Sequence, residues 1–106
     1  MMIRFMRMIL FFDLPAVSKT DHREYRKFIK MIKSLGFVAY QESVYTKLAL
    51  NDTVVISTMK EIKQKLPKDG VLSVLSITEK QFSSIENILG NITTDVIMSE
   101  DKIIKL

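Results

Sequence analysis

The chain has 106 residues, of which 47% are hydrophobic and 26% charged, with no cysteine and a formal net charge of +4. A chain of this size suits one domain with one core, and this composition excludes a disordered polymer. The lack of cysteine excludes a disulfide framework, and the longest apolar run, Met8 to Phe12, is far short of the roughly 18 residues a membrane span requires.

The opening Met1-Met2-Ile3-Arg4-Phe5 offers no small-residue cleavage site and runs straight into strand-like sequence, so we expect no signal peptide and a cytoplasmic location. Charge is unevenly spread. Residues 1–68 hold 13 Lys and Arg against 6 Asp and Glu, whereas residues 69–106 hold 3 against 6. A basic field confined to the first two-thirds suits a polyanionic partner, although solvated surface lysines give the same count.

Residues 3–12 are almost uninterruptedly apolar, with Met6, Met8, Leu10 and Phe12 on one side and Ile9 and Phe11 on the other, which predicts a strand buried on both faces. It stops at Asp13-Leu14-Pro15. A helix should start near Ser18 to Asp21, because Tyr25, Phe28, Ile29, Ile32 and Leu35 recur at helical spacing before Gly36 supplies a stop. The same helix places Arg23, Arg26, Lys27, Lys30 and Lys33 about 200° away from the apolar stripe, with Glu24 as the one acid among them. That basic ridge is either a solvated face or a phosphate contact, and its lopsided charge favours the latter.

Residues 37–48, rich in aromatic and β-branched types, read as one long or broken strand, with Gln41-Glu42-Ser43 as a kink or bulge. Asn51 should cap a second helix carrying Val55, Met59, Ile62 and Leu66 and closed by Pro67, with Lys60, Lys63, Lys65 and Lys68 near its end, where they also complement the helix dipole. From Gly70, residues 71–77 read as an interior strand. Thr78 and Gln81 have capping-box spacing and should open a short third helix through Phe82, Ile85, Ile88 and Leu89. Residues 95–98 and 102–106 are two short extended candidates. The whole, residues 1–106, reads as a single α+β domain: a ferredoxin-like split βαβ sandwich, with an antiparallel sheet and a tail from about residue 92. A first strand apolar on both sides implies a covering sheet, and a homodimer is the economical source of one.

Little here points to covalent catalysis. There is a single histidine, His22, which reads as a surface or capping residue, and no phosphate-binding glycine loop. Asp13, directly after Phe11-Phe12, is the candidate for chemistry; its bland alternative is an Asx-type turn with Leu14-Pro15. Two copies of Asp13 near a dimer axis could hold Mg²⁺, which takes oxygen ligands and is often bound by one or two carboxylates plus water.

Three segments together, Met8 to Pro15, Arg23 to Phe28 and Gly36 to Tyr45, resemble the CRISPR-associated Cas-two family, and residues 74–82 resemble the form found with type II systems. The resemblance spans essentially the whole chain. It implies a ferredoxin-like homodimer that bridges dimers of the acquisition integrase and holds duplex prespacer DNA, acting as scaffold. It also implies the alternative of a metal-dependent endonuclease on RNA or DNA, with Asp13 binding Mg²⁺ between protomers. By the same resemblance Arg23 and Arg26, with Lys27 and Lys30, would contact phosphate; Gln41, Ser43 and Tyr45 would serve sheet and dimer structure; and residues 102–106 would add a strand to a sheet edge in the dimer or on the integrase.

Overall fold

The computed structural model describes residues 4–90. The element order is β1 (Met6–Asp13), α1 (Lys19–Ser34), β2 (Val38–Gln41), β3 (Val44–Ala49), α2 (Asp52–Gln64), β4 (Val71–Thr78) and α3 (Glu79–Phe82). The strands form one sheet in the order β2-β3-β1-β4, and every neighbouring pair is antiparallel. With β1 central and two crossovers each carrying a helix, this is the expected ferredoxin-like βαββαβ arrangement. The expected tail strands at 95–98 and 102–106 lie outside the described residues.

Local chemistry sets the element ends. Ser18 caps α1 through a reciprocal box: its hydroxyl accepts from Asp21 N at 3.0 Å while Asp21 Oδ2 accepts from Ser18 N. At the other end Gly36 takes φ 99°, so that its N–H reaches Lys33 O and the N–H of Phe37 reaches Ile32 O. That is a Schellman closure, and buried Phe37 and Ile32 supply its apolar contact. Asn51 caps α2 by accepting from Val54 N at 3.0 Å.

The core lies between the helices and one sheet face. Met8, Leu10 and Phe12 of β1 meet Phe28 and Ile32 of α1 and Ile62 of α2. Phe12 packs edge-on to Phe28 at a ring separation of 5.2 Å.

Three expectations need correction. The segment over residues 37–48 is a hairpin: Glu42-Ser43 turns the chain, Ser43 adopts φ 62°, and the register slips at Tyr40. The break falls at the expected Gln41-Glu42-Ser43, but Glu-Ser carries none of the Asn-Gly or Gly-X signal of a two-residue hairpin, so composition reads a kink or bulge in one long or broken strand where the chain reverses. Second, β4 is an edge strand among the described residues, with Val71 65% and Leu75 50% exposed. Third, α3 stops at Phe82, and Ile88 and Leu89 lie open to solvent. The Ser83 and Ser84 hydroxyls donate back to the carbonyls of Lys80 and Gln81, a local bonding pattern that competes with helix continuation.

Candidate functional site

The second sheet face differs from the core side. Alternation along β1 aims Arg7, Ile9, Phe11 and Asp13 away from α1 and α2. Arg7 has no candidate role in the sequence reading, yet it is 2% exposed and donates from both Nε and Nη2 to the Glu79 carboxylate, the Nε bond at 2.8 Å. Its guanidinium also lies 4.4 Å from the centre of the Phe82 ring. This fork holds α3 over part of the face, where the Phe82 ring packs at a tilt against Tyr40 beside Ile9, Val38, Val44 and Ile77. An arginine inside an apolar strand is the one signal the sequence holds for this arrangement; its partner lies 72 residues away and follows no spacing rule.

Toward the far end of β1 the face opens. Phe11 is 43% exposed, Leu75 and Val71 flank it on β4, and Asp13 is the terminal residue, itself exposed. The backbone around Asp13 is closely held. On one side Phe12 N donates to Ser43 O in the β2–β3 turn; on the other Asp13 pairs with Val71. Gly70, at φ 109°, lies so near that a Cβ there would stand 2.7 Å from Asp13 O and from Leu14 Cδ2. Only glycine fits there, so Gly70 contributes to placing Asp13. The Asp13 carboxylate has no hydrogen-bond or ion-pair partner among the described residues, and the Asx-turn alternative finds no bond to support it.

As a metal ligand, Asp13 is alone in one protomer. Among the described residues no three His, Cys, Asp or Glu side chains gather in a way that could hold an ion. Oxygen chemistry and exposure suit Mg²⁺, but a site of two carboxylates needs a second copy of the chain.

The basic residues occupy the outer surface of α1. Arg23, Arg26, Lys27, Lys30 and Lys33 are all exposed, and none forms an ion pair among the described residues. Phe28 and Ile32 face the sheet from the same helix, so the ridge and Asp13 lie on opposite sides of the two-layer structure. The structure does not bring them together within one protomer. His22 Nε2 sits 3.0 Å from Ala16 O at the entry to α1, in keeping with a capping role. Tyr45 packs in the core against Phe12, and Gln41 and Ser43 belong to the hairpin end. No helix among the described residues is long and apolar enough to cross a membrane.

Comparison with known proteins agrees with this architecture. A solved structure described as a crystal structure of cas2 superposes with a TM-score of 0.60 over 85% of this chain and 92% of its own, at 14% identity, a likeness of fold. The CRISPR-associated endoribonuclease Cas2 of Treponema denticola is 38% identical over 95% of this chain and 100% of its own length. That of Streptococcus mutans is also 38% identical, over 95% and 93%. The family model for CRISPR associated protein Cas2 matches residues 6–85, from the first residue of β1 to just past α3. A match over the entire sheet and all three helices, with relatives aligned nearly end to end, places the chain in the CRISPR-associated Cas2 family.

Proposed function

We propose that the chain is the homodimeric scaffold of CRISPR spacer acquisition, bridging integrase dimers and holding duplex prespacer DNA along the basic ridge. The observation that carries this reading is the opposition of the two candidate sites: among the described residues, five exposed cations without an ion pair lie on one side of the layer and the unpaired Asp13 carboxylate on the other. From Arg23 to Lys30 the ridge extends about 10 Å along the helix, enough to meet several phosphates of a duplex. Such contacts position a strand without reading its bases. The half-open apolar surface of Phe11, Val71 and Leu75 would meet the same surface of a second copy.

The test is duplex-DNA binding by the protein with its integrase across a salt series. Replacing Arg23 and Arg26 by Glu should lower the slope of log K against log salt by about 2, at roughly 0.9 for each phosphate no longer neutralised. Asp13→Ala should leave affinity unchanged. An unaltered slope in the charge-reversed protein would sink the scaffold reading.

A second reading, a metal-dependent endonuclease on RNA or DNA, is favoured by the exposed, unpartnered Asp13 and by relatives described as endoribonucleases. Two Asp13 carboxylates across a dimer axis would hold Mg²⁺, which when bound lowers the pKa of water and offsets phosphodiester charge. Gly70 and the Ser43 turn would fix the orientation of each Asp13. This reading requires that hydrolysis of single-stranded RNA or duplex DNA stop on chelation and in Asp13→Ala; hydrolysis at equal rate in that variant excludes it.

A further inference from the structure

Lys47 lies on the helix side of β3, opposite Met8 in the strand register. Its stem passes beside Gly36, where a Cβ would stand 3.5 Å from Lys47 Cε. Its ammonium donates to Thr58 Oγ1 of α2 at 2.9 Å and has no carboxylate within ion-pair distance among the described residues. Burial pushes its pKa below the ordinary lysine value. One neutral acceptor satisfies one of three N–H donors and leaves the charge of a partly desolvated group uncompensated.

This ammonium borders a groove of about 570 Å³ between the end of α1 and α2, which Ser57, Thr58, Lys60 and Gln64 also line. The acid on this wall, Glu61, is engaged by Lys65 at 3.3 Å. A second depression, of about 340 Å³, has Lys27, Lys30 and Ser34 on its α1 wall and Lys65 just past α2. Ser34 of that depression and Leu35 of the groove are consecutive in sequence, as are Lys65 and Gln64, so the two hollows are bordered by neighbouring residues at the ends of α1 and α2. Lys27, Lys30, Lys47 and Lys60 line the two hollows without an ion pair among the described residues, whereas Lys65 and Glu61 pair with each other and Glu24 is the remaining acid of the lining.

We propose that the α1–α2 seam is a phosphate track, along which a nucleic-acid strand passes from Lys27, Lys30 and Lys65 to Lys47 and Lys60, with the Lys47 ammonium donating to a phosphodiester oxygen. The track rests on the nucleic-acid-binding reading above and extends it inward from the ridge. Lys60 and Lys63 also suit the C-terminal half of α2 through its dipole, but that effect gives no role to Lys47, which belongs to the sheet.

Acetylation footprinting of the intact protein, read by mass spectrometry, tests the proposal without any substitution. Duplex DNA should slow acetylation at Lys47 and Lys60 together with Lys27 and Lys30, whereas inorganic phosphate at matched phosphate content should not. Protection at Lys27 and Lys30 alone would overturn the seam and leave the ridge standing. Protection nowhere would remove both readings, and equal protection by inorganic phosphate would replace the track with an isolated anion site. In Lys47→Met, which keeps the stem beside Gly36, the salt slope of DNA binding should fall by about 1 with the unfolding midpoint retained; an unchanged slope overturns the proposal.

Discussion

The two faces of one sheet are built from alternate residues of the same strands, yet they are held by different physics. On the helix side Met8, Leu10 and Phe12 are closed over by α1 and α2, and the contacts are apolar and aromatic. On the other side an arginine–carboxylate fork under a short helix covers one end, and Phe11, Leu75 and Asp13 are left open at the other. The first face secures stability by burial, which any well-fitting apolar set can supply. The second concentrates the groups that a partner or a ligand would use: the exposed apolar patch gains by being covered, while the solvated Asp13 carboxylate is open to a cation.

Substitutions on either side put that contrast to the test. The largest effect belongs to the closed face: Leu10→Ala should cost about 3 kcal/mol in urea unfolding, independent of protein concentration, since the fully buried side chain leaves a cavity. Glu79→Leu should cost nearly as much, about 3 kcal/mol, because Arg7 is left buried and unpaired. The double replacement Arg7→Met with Glu79→Leu should recover most of it and fall within about 1 kcal/mol of the parent. A double variant as weak as the single one would show that the fork does more than neutralise a buried charge.

Gly70→Ala should cost about 1–2 kcal/mol through its positive φ and the close approach to Asp13 O. It should also shift the NMR resonances of Asp13 and Leu14 more than those of α1. Phe11→Ser, one residue from Leu10, should cost at most about 1 kcal/mol where the chain is dilute, while weakening self-association measured by sedimentation. A loss as large as that of Leu10→Ala would erase the distinction between the faces. The smallest effect is at the α1 cap. Backbone N–H groups of Ser18 and Val17 hold the Asp21 carboxyl below its ordinary value of 3.8. Its contribution is therefore present above that value and is lost as pH falls through the lowered one, so Asp21→Asn should flatten only the acid limb of stability against pH.

Where sequence succeeded, the signal was local. Asn51 and the Thr78–Gln81 pair are caps because a side-chain oxygen reaches a backbone N–H three residues on, and each is found capping, while α1 begins within the expected window of Ser18 to Asp21. The α1 stripe of Tyr25, Phe28 and Ile32 predicts which side of that helix is core, and with it the outward position of Arg23, Arg26, Lys27 and Lys30. Reading failed where pairing was distant or weakly encoded. The Glu42-Ser43 turn lacks a glycine signal, and the place of β4 at an edge depends on the order of four strands. Of the candidate site, Asp13 was legible as a carboxylate at a strand end, but its clamp by Gly70 and Ser43 was not.

Periodicity, short-range bonding and residue order are properties of the unfolded chain, and they suffice for the element types, the helix caps, the apolar side of α1 and the family resemblance. Folding alone settles that Arg7 finds Glu79, that Asp13 and the basic ridge face opposite ways, and that Lys47 meets α2 across a groove. Such arrangements join different elements, as far as 72 residues apart for Arg7 and Glu79, and they arise only through the packing of whole layers.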